Sequence, residues 1–402
     1  MAFKTCAVWA WITLAACAAP SRPPSNSVTR DGYAPSSSEP LQVTADPWPE
    51  ASERFHVQPV WLGADSAYSI DLDATQVLWL FADTFLDPAA DGSRENGPNF
   101  FIRNSVAIQS GRDPSDSHDL SKSKLQFYWG PSRAAAPGQP STPSSFFHDV
   151  DGGEAWVWPL HGARLQDGRL LLFRMHVQKE SGGLGFRVDG WDALAIDDPA
   201  QPPDTWQPRV LTPKLQTFGK LVGSSVLVHD GFVYAYAVNN QNSEHAIYLA
   251  RWREAELLGL SSHALDDPEW WTQAGYVRQS ALSDEGQLEP LFRDGQVELS
   301  VHYDTTRERF IEIQMQGLFV AEQTTQIGQR SAPHPEGPWS ALTPFFRPAE
   351  HALPNAPDLA AYAAKAHPEQ RGAAWVISYV VNDLKRFPPA DNVYYPKLIR
   401  VN

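Results

Sequence analysis

Residues Trp61–Ser110, WLGADSAYSIDLDATQVLWLFADTFLDP…RENGPNFFIRNSVAIQS, decide the fold. Tyr68–Leu72 alternates apolar and polar residues, Val77–Phe85 is a near-continuous apolar run, and Arg103–Gln109 alternates again, so the stretch reads as three strands. Asp73-Ala74-Thr75 is a short polar break with no helical period. If it is the turn, Leu72 pairs with Gln76, and the same register sets Asp65 opposite Asp83. Directly opposed residues have Cβ atoms about 4.5–5.5 Å apart, so two carboxylates would project from one rim of a hairpin. A slip of one residue would turn them to opposite faces. Asp83 also closes an apolar run (LWLFADTF), where an uncompensated carboxylate is costly; Arg103-Asn104 on the third strand can supply a partner.

The hairpin pattern recurs. Tight polar turns at Asp167-Gly168, Asp230-Gly231, Asp294-Gly295 and Arg371-Gly372 each precede an aromatic-rich strand: RLLLFRMHV, FVYAYAVNN, QVELSVHYD and AAWVISYVVND. Asp-Gly is a strong two-residue hairpin signal. Intervals of roughly 63 to 94 residues leave room for four short strands per repeat, which implies an all-β, five-bladed β-propeller; a β-sandwich with insertions is the competing architecture. In a blade, the loop entering the innermost strand and the loop leaving the second strand open on one face. Asp65, His161, Lys220, Glu289 and His367 lead into or along the inner strands, and Asp83, His176, Asn239, Tyr303 and Asn382 end the second strands. Strand ends are often polar because they are solvated, but the recurrence where blades converge marks a candidate site.

Outside this body the chain is different. Lys4 precedes an apolar run, Ala7–Ala16, too short to span a bilayer. Leu14-Ala15-Ala16-Cys17 resembles the lipobox of bacterial lipoproteins, implying cleavage before Cys17 and its acylation. Residues 1–17 therefore read as a lipoprotein signal, 18–49 as a Pro/Ser-rich disordered tether, and 50–402 as the propeller domain. The chain holds two cysteines, one lost with the leader and one acylated, so the mature domain is stabilised by its core. A net charge of −15 argues against nucleic acid or an anionic surface as partner.

The words LGADSAYSIDL, LWLFADTFLDP, RNSVAIQSG, VWPLHG, GPWS, AAYAAKAHPE and WVISYVVND…VYYPKLIRV resemble a family of bacterial five-bladed propellers that includes the endo-D-arabinanases. The similarity runs from Trp61 to Val401. It implies that Asp65 and Asp83 are an acid/base pair, and that the substrate is a polysaccharide such as a furanose-containing arabinan. More distantly the plan is similar to furanosidases and sialidase-like propellers. Ala82 stands where Gly often precedes the second Asp, and Ala64 stands beside Asp65, which sets this branch apart.

Glycoside hydrolysis needs one protonated carboxyl to assist the leaving oxygen and one carboxylate to activate water or attack the anomeric carbon. Opposed acids repel when both are ionised, which pushes one pKa up. The resemblance tilts the stereochemical course toward inversion. Trp158 and Tyr303 are candidates for stacking on sugar rings; Arg103, Asn104, His161, Lys220, Glu289, His367 and Asn382 are candidates for binding hydroxyls. His148–Glu154 begins like a calcium loop but lacks its distal ligand and reads as a turn; zinc-ligand spacing, phosphate loops and Gly-x-Ser-x-Gly are not found. No cofactor is expected. The reading is a monomeric glycosidase, exported and lipid-anchored in the cell envelope, acting on poly- or oligosaccharide. A non-catalytic glycan-binding or scaffold propeller is the alternative.

Overall fold

The structure is a computed structural model that describes residues 41–402, apart from 57, 88–89, 95–98, 114–115, 117–118, 134–141, 149–152, 182–184, 216, 241–243, 317–324, 351–357 and 371–374. The leader with Cys17, residues 18–40, the Asp151 segment of the calcium-like loop and the Arg371-Gly372 turn lie outside the described residues.

The first hairpin has the register that the turn residues dictate. Tyr68 pairs with Leu80 and Asp71 with Val77. Leu72 N donates to Gln76 O at 3.1 Å, and Asp73 Oδ1 accepts from the amides of Thr75 and Gln76, an Asx turn that closes the loop. Beyond the hairpin Ala64 pairs with Thr84, and Asp65 N donates to Asp83 O at 3.3 Å. Ser66 and Ala67 break the inner strand with φ of 72° and 57°, yet the pairing resumes in the same register on either side.

Five antiparallel sheets follow one another, each ordered from inner to outer strand. The first is Tyr68–Asp71, Val77–Phe81, Ser105–Ser110 and Lys124–Tyr128. The second is Ala155–Arg164, Leu170–Lys179, Phe186–Ile196 and Arg209–Leu215. The third runs from Lys220–His229 through Phe232–Asn239, Ile247–Arg253 and Glu269–Thr272 to Gly275–Arg278. The fourth is Leu299–Asp304, Arg309–Gln316, Gln326–Ala332 and Thr343–Phe346. The fifth is Leu359–Ala366, Trp375–Asp383 and Lys397–Val401, completed by Ala45–Pro47 from the other end of the chain. This is a five-bladed β-propeller.

The last pairing moves one expected boundary. Residues 41–49 belong to the domain rather than to a tether: Ala45 pairs with Val401, Trp48 is buried, and Leu41 O accepts from Gln329 Nε2. An outer-strand position demands only a short backbone ladder, so a Pro-rich stretch without apolar periodicity can fill it.

The fourth blade also differs from expectation. Leu299–Asp304 is its inner strand, not its second, and its hairpin turns between Asp304 and Arg309, with Asp304 Oδ1 accepting from the amides of Thr306 and Arg307. Asp294-Gly295 is a connection from the third blade. A Cβ on Gly295 would stand 2.4 Å from Ile247, so the glycine serves close approach rather than a turn.

Polar side chains tie the inner strands into a ring. His161 bonds Ser69 O and accepts from Val226 N; Ser225 Oγ accepts from Val301 N; Ser300 Oγ accepts from Ala366 N; Lys365 Nζ donates to Ser66 O; His367 Nδ1 meets Ser69 Oγ. Each of the five junctions is thus closed by a side chain, which satisfies strand groups that would otherwise be orphaned at the axis.

Candidate active site

The axis has two ends: the rim, where inner strands begin and second strands finish, and the opposite face, which carries the hairpin turns. Asp65 and Asp83 meet at the rim. Asp83 Oδ1 accepts from Trp158 Nε1 at 2.8 Å, and Arg103 Nη1 lies 3.3 Å from both Asp83 oxygens. Arg103 comes from the segment just before the third strand of the first blade, as the apolar setting of Asp83 required. Its guanidinium is held over the ring of Trp156 at 4.0 Å and that of Phe101 at 4.9 Å. Trp158 is fixed edge-on to Phe186 at 4.8 Å, so its N–H is aimed at the carboxylate instead of its ring face at solvent.

Asp65 sits in a different environment. Tyr362 donates its hydroxyl to Oδ2 at 2.8 Å, while Oδ1 is shielded and has no hydrogen-bond partner. Burial, then the carboxylates of Asp83 and Glu298, push Asp65 well above the ordinary carboxylate range; the hydroxyls of Tyr362 and Tyr394 act in the opposite sense. Lys365, fully buried, does not pair with Asp65 but with Glu298 Oε1 at 2.7 Å, and Ser66 Oγ donates to the same oxygen. Arg94 holds the Tyr394 segment against the hairpin by donating to Leu62 O, Ala390 O and Val393 O.

Glu298, Tyr362, Lys365 and Tyr394 are the residues that sequence reasoning missed. Glu298 carried a signal: like Asp65, it is an acid just before an alternating strand, visible once Leu299–Asp304 is read as an inner strand. Tyr362 comes from the inner strand of the fifth blade and Tyr394 from the connection between its second and third strands, in words that carried the resemblance but no charge pattern.

Several expected ligands have other work. Asn104 is fully buried, donating to Phe147 O and Val157 O and accepting from Phe147 N, so it anchors a loop. His161 bridges three inner strands, stacks on Tyr68, and burial pulls it down to about 4. His367 is 1% exposed between Ser69 and Ser378, beneath Trp79; burial holds it well below the usual histidine range, and it offers no edge to a sugar. Lys220 starts the third blade at the rim, but its Nζ donates to Phe218 O and Glu285. Glu289 follows the outer strands of the third blade, its N bonding Trp271 O, and does not lead into the fourth. Tyr303 lies at the hairpin end of its strand, packed on His229 and Phe310 on the face away from the acids. Asn382 is half-buried at the rim end of its strand, opposite Ala360.

A cavity of about 270 Å³ is lined by Arg103, Phe101, Ser144, Ser145 and Trp156 among others, and by neither of the two acids. A larger one, about 510 Å³, lies on the turn face around Asp71, Arg112 and Arg164, away from the acids. Among the described residues no cluster of His, Cys, Asp and Glu is arranged to hold a metal ion, and no helix is long and apolar enough to cross a membrane.

No curated protein matches the chain in sequence. Among solved structures it is similar to a Bacteroides ovatus protein provisionally described as a hydrolase, with TM-score 0.65, 16% identity, and 89% and 90% of the two chains covered. That likeness is one of fold. Weaker likenesses, which carry no argument, are to an α-L-arabinofuranosidase from Podospora anserina solved with cellotriose (TM-score 0.44, 11% identity, 90% and 97% covered) and an endo-arabinase from Bacteroides thetaiotaomicron (0.43, 14%, 86% and 96%). Residues 53–402, the whole propeller but its first outer strand, match one family, and the chain belongs to it: the family described as Domain of unknown function (DUF5005).

Proposed function

We propose that this propeller is a glycoside hydrolase in which Asp65 is the proton donor and Asp83 the ionised partner. The observation that carries the reading is that two acids paired across one hairpin, Asp65 N to Asp83 O at 3.3 Å, sit in unequal surroundings. Asp65 is desolvated, flanked by two other carboxylates and unpartnered at Oδ1; Asp83 receives an arginine and an indole N–H, contacts that favour the carboxylate form. Asp65, held neutral by its surroundings, carries the proton. From there it passes to the glycosidic oxygen as the bond to the anomeric carbon breaks. Asp83 takes a proton from the water that attacks the opposite face of the ring, giving inversion.

The substrate class is a poly- or oligosaccharide, with furanose units the choice that the sequence resemblance supports. The exported, lipid-anchored placement rests on the leader alone, and Cys17→Ala is expected to move the protein from the membrane to the soluble fraction.

Asp65→Asn and Asp83→Asn test the chemistry. Each is expected to lower kcat about 10²–10⁴-fold on a cleaved polysaccharide while circular dichroism stays unchanged. Retained turnover in either variant sinks the assignment. Wild-type protein that binds glycans and releases no reducing ends from arabinans, galactans or sialylated glycans identifies a non-catalytic module instead. Proton NMR of the first-formed anomer decides inversion.

A further inference from the structure

We infer that Lys365 is a positioning residue, whose ammonium pins together the two left-handed backbone segments that aim Asp65 and Tyr362 at each other. The effect on turnover rests on the proposed role of Asp65; the clamp itself does not.

The inner strands of the first and fifth blades are both interrupted beside the site. Ser66 and Ala67, directly after Asp65, have φ of 72° and 57°, and Ala363, directly after Tyr362, has φ of 60°. Left-handed backbone is unfavourable for residues that carry a Cβ. Ser66 and Ala67 fall between the pairs Ala64–Thr84 and Tyr68–Leu80, and in the fifth blade the register shifts between Tyr362 and Lys365. An interruption of this kind re-aims a neighbouring side chain out of the regular strand direction. Here the two re-aimed side chains meet, the Tyr362 hydroxyl donating to Asp65 Oδ2 at 2.8 Å. Interruption also releases carbonyls from the ladder, and buried carbonyls need another donor.

Lys365 is that donor for both strands. It is 1% exposed on an inner strand, a place where lysine is rare unless paired. An ammonium has three N–H donors. The three acceptors around this one are Ser66 O at 2.6 Å, Glu298 Oε1 at 2.7 Å and Ala363 O at 3.3 Å. Two of them belong to left-handed residues, one on each blade. The third is the carboxylate that also accepts from Ser66 Oγ at 2.8 Å, so Ser66 is held twice. The ring of Tyr68, where pairing resumes, stands 4.3 Å from the ammonium. One buried cation thus joins the strained segment of one blade to that of the next. Without it both segments are free to relax toward extended backbone, and Asp65 and Tyr362 swing apart.

Lys365→Met keeps the side-chain length and removes the ammonium. In the full-length protein, hydrogen exchange read by mass spectrometry is expected to rise about tenfold in the peptide covering residues 64–68, while peptides of the third blade keep their rates. On a cleaved polysaccharide kcat is expected to fall about 10–100-fold with KM within about threefold of wild type, because the acid is misplaced. Ser66→Gly supplies the rescue, since glycine adopts a φ of 72° freely. Added to Lys365→Met, it should slow the local exchange and recover about threefold or more in kcat. If the carboxylate left alone by Lys365→Met prevents folding, Lys365→Met/Glu298→Gln leaves no charge unpaired and carries the same comparison, with Glu298→Gln as its control. Wild-type kcat in a folded variant, exchange that rises equally in every blade, or no recovery with Ser66→Gly each overturns the clamp. A protein that hydrolyses nothing but shows the local exchange response keeps the clamp and removes the glycosidase reading; hydrolysis with kcat untouched by Lys365→Met does the reverse.

Discussion

Tyr362→Phe removes a single oxygen, the one whose hydrogen holds Asp65. The hydroxyl donates to Asp65 Oδ2 at 2.8 Å and so favours the ionised acid. A hydrogen bond to a charged group is worth about 1.5–3 kcal/mol, and 1.36 kcal/mol corresponds to one pKa unit. Complete loss would therefore raise Asp65 by about one to two units. Tyr394 acts on the same carboxylate and offsets part of the loss, so about one unit is expected. The sign is fixed by the role: an acid must hold its proton to assist the leaving group, and raising its pKa extends activity to higher pH. In the pH profile of kcat/KM, the alkaline limb should move upward by about one unit, while the acid limb, which reports Asp83, stays in place. Among the described residues the other charged groups facing Asp65 are Asp83, Glu298 and Lys365, none of which the substitution replaces. An alkaline limb that stays put, or moves to lower pH, refutes Asp65 as the proton donor held by Tyr362.

Three further predictions concern stability. Glu312 is buried in the fourth blade with neither oxygen hydrogen-bonded, Arg330 Nε standing 3.6 Å away, and burial pushes it up to about 8. An acid raised on folding binds its proton more tightly in the native state, so stability falls as pH climbs from about 4.5 to 8; Glu312→Gln should flatten that fall in melting temperature between pH 5 and 8, and an unchanged slope counts against the assignment. His367→Ala strands Ser69 and Ser378 at the axis and is expected to cost about 2–4 kcal/mol in urea unfolding, with sugar affinity of the folded protein preserved. Lost affinity at full stability would return His367 to the site. Gly63→Ala places a Cβ 2.1 Å from the carbonyl oxygen of Tyr394 at a φ of 128°, so chain must shift on one side or the other. About 2–4 kcal/mol of stability should go with it, and a melting temperature within about 1 °C of wild type would contradict the contact.

At the site, legible and illegible residues stand side by side. Arg103 was legible because an acid closing a buried apolar run needs a cation, and the third strand held the nearest one. Trp158 was legible as a rim residue, but whether it would offer ring face or N–H depended on Phe186, from the third strand of the second blade. Polarity marked His161, His367 and Asn104 equally well, and all three tie strands or loops together, His367 and Asn104 fully buried and His161 half-buried. A polar residue near the axis of a propeller has two possible employers, the substrate or the unpaired backbone of the neighbouring blade, and composition does not distinguish them.

The chain's own order settled what is local. A three-residue turn sets a hairpin register through hydrogen bonds between residues a few positions apart, and that register alone brought Asp65 to Asp83. Repetition of the hairpin pointed to the number of blades, since each repeat must bury its faces against the next, although the fourth repeat's turn lies between Asp304 and Arg309 rather than at Asp294-Gly295. Closure of the ring decided the remainder. It brought Glu298, Tyr362 and Tyr394 to Asp65 from more than 200 positions away, turned Lys365 toward Glu298, and used the axial histidines to join strands. Such meetings depend on how five sheets are rotated about one axis, a quantity that no stretch of the chain encodes by itself.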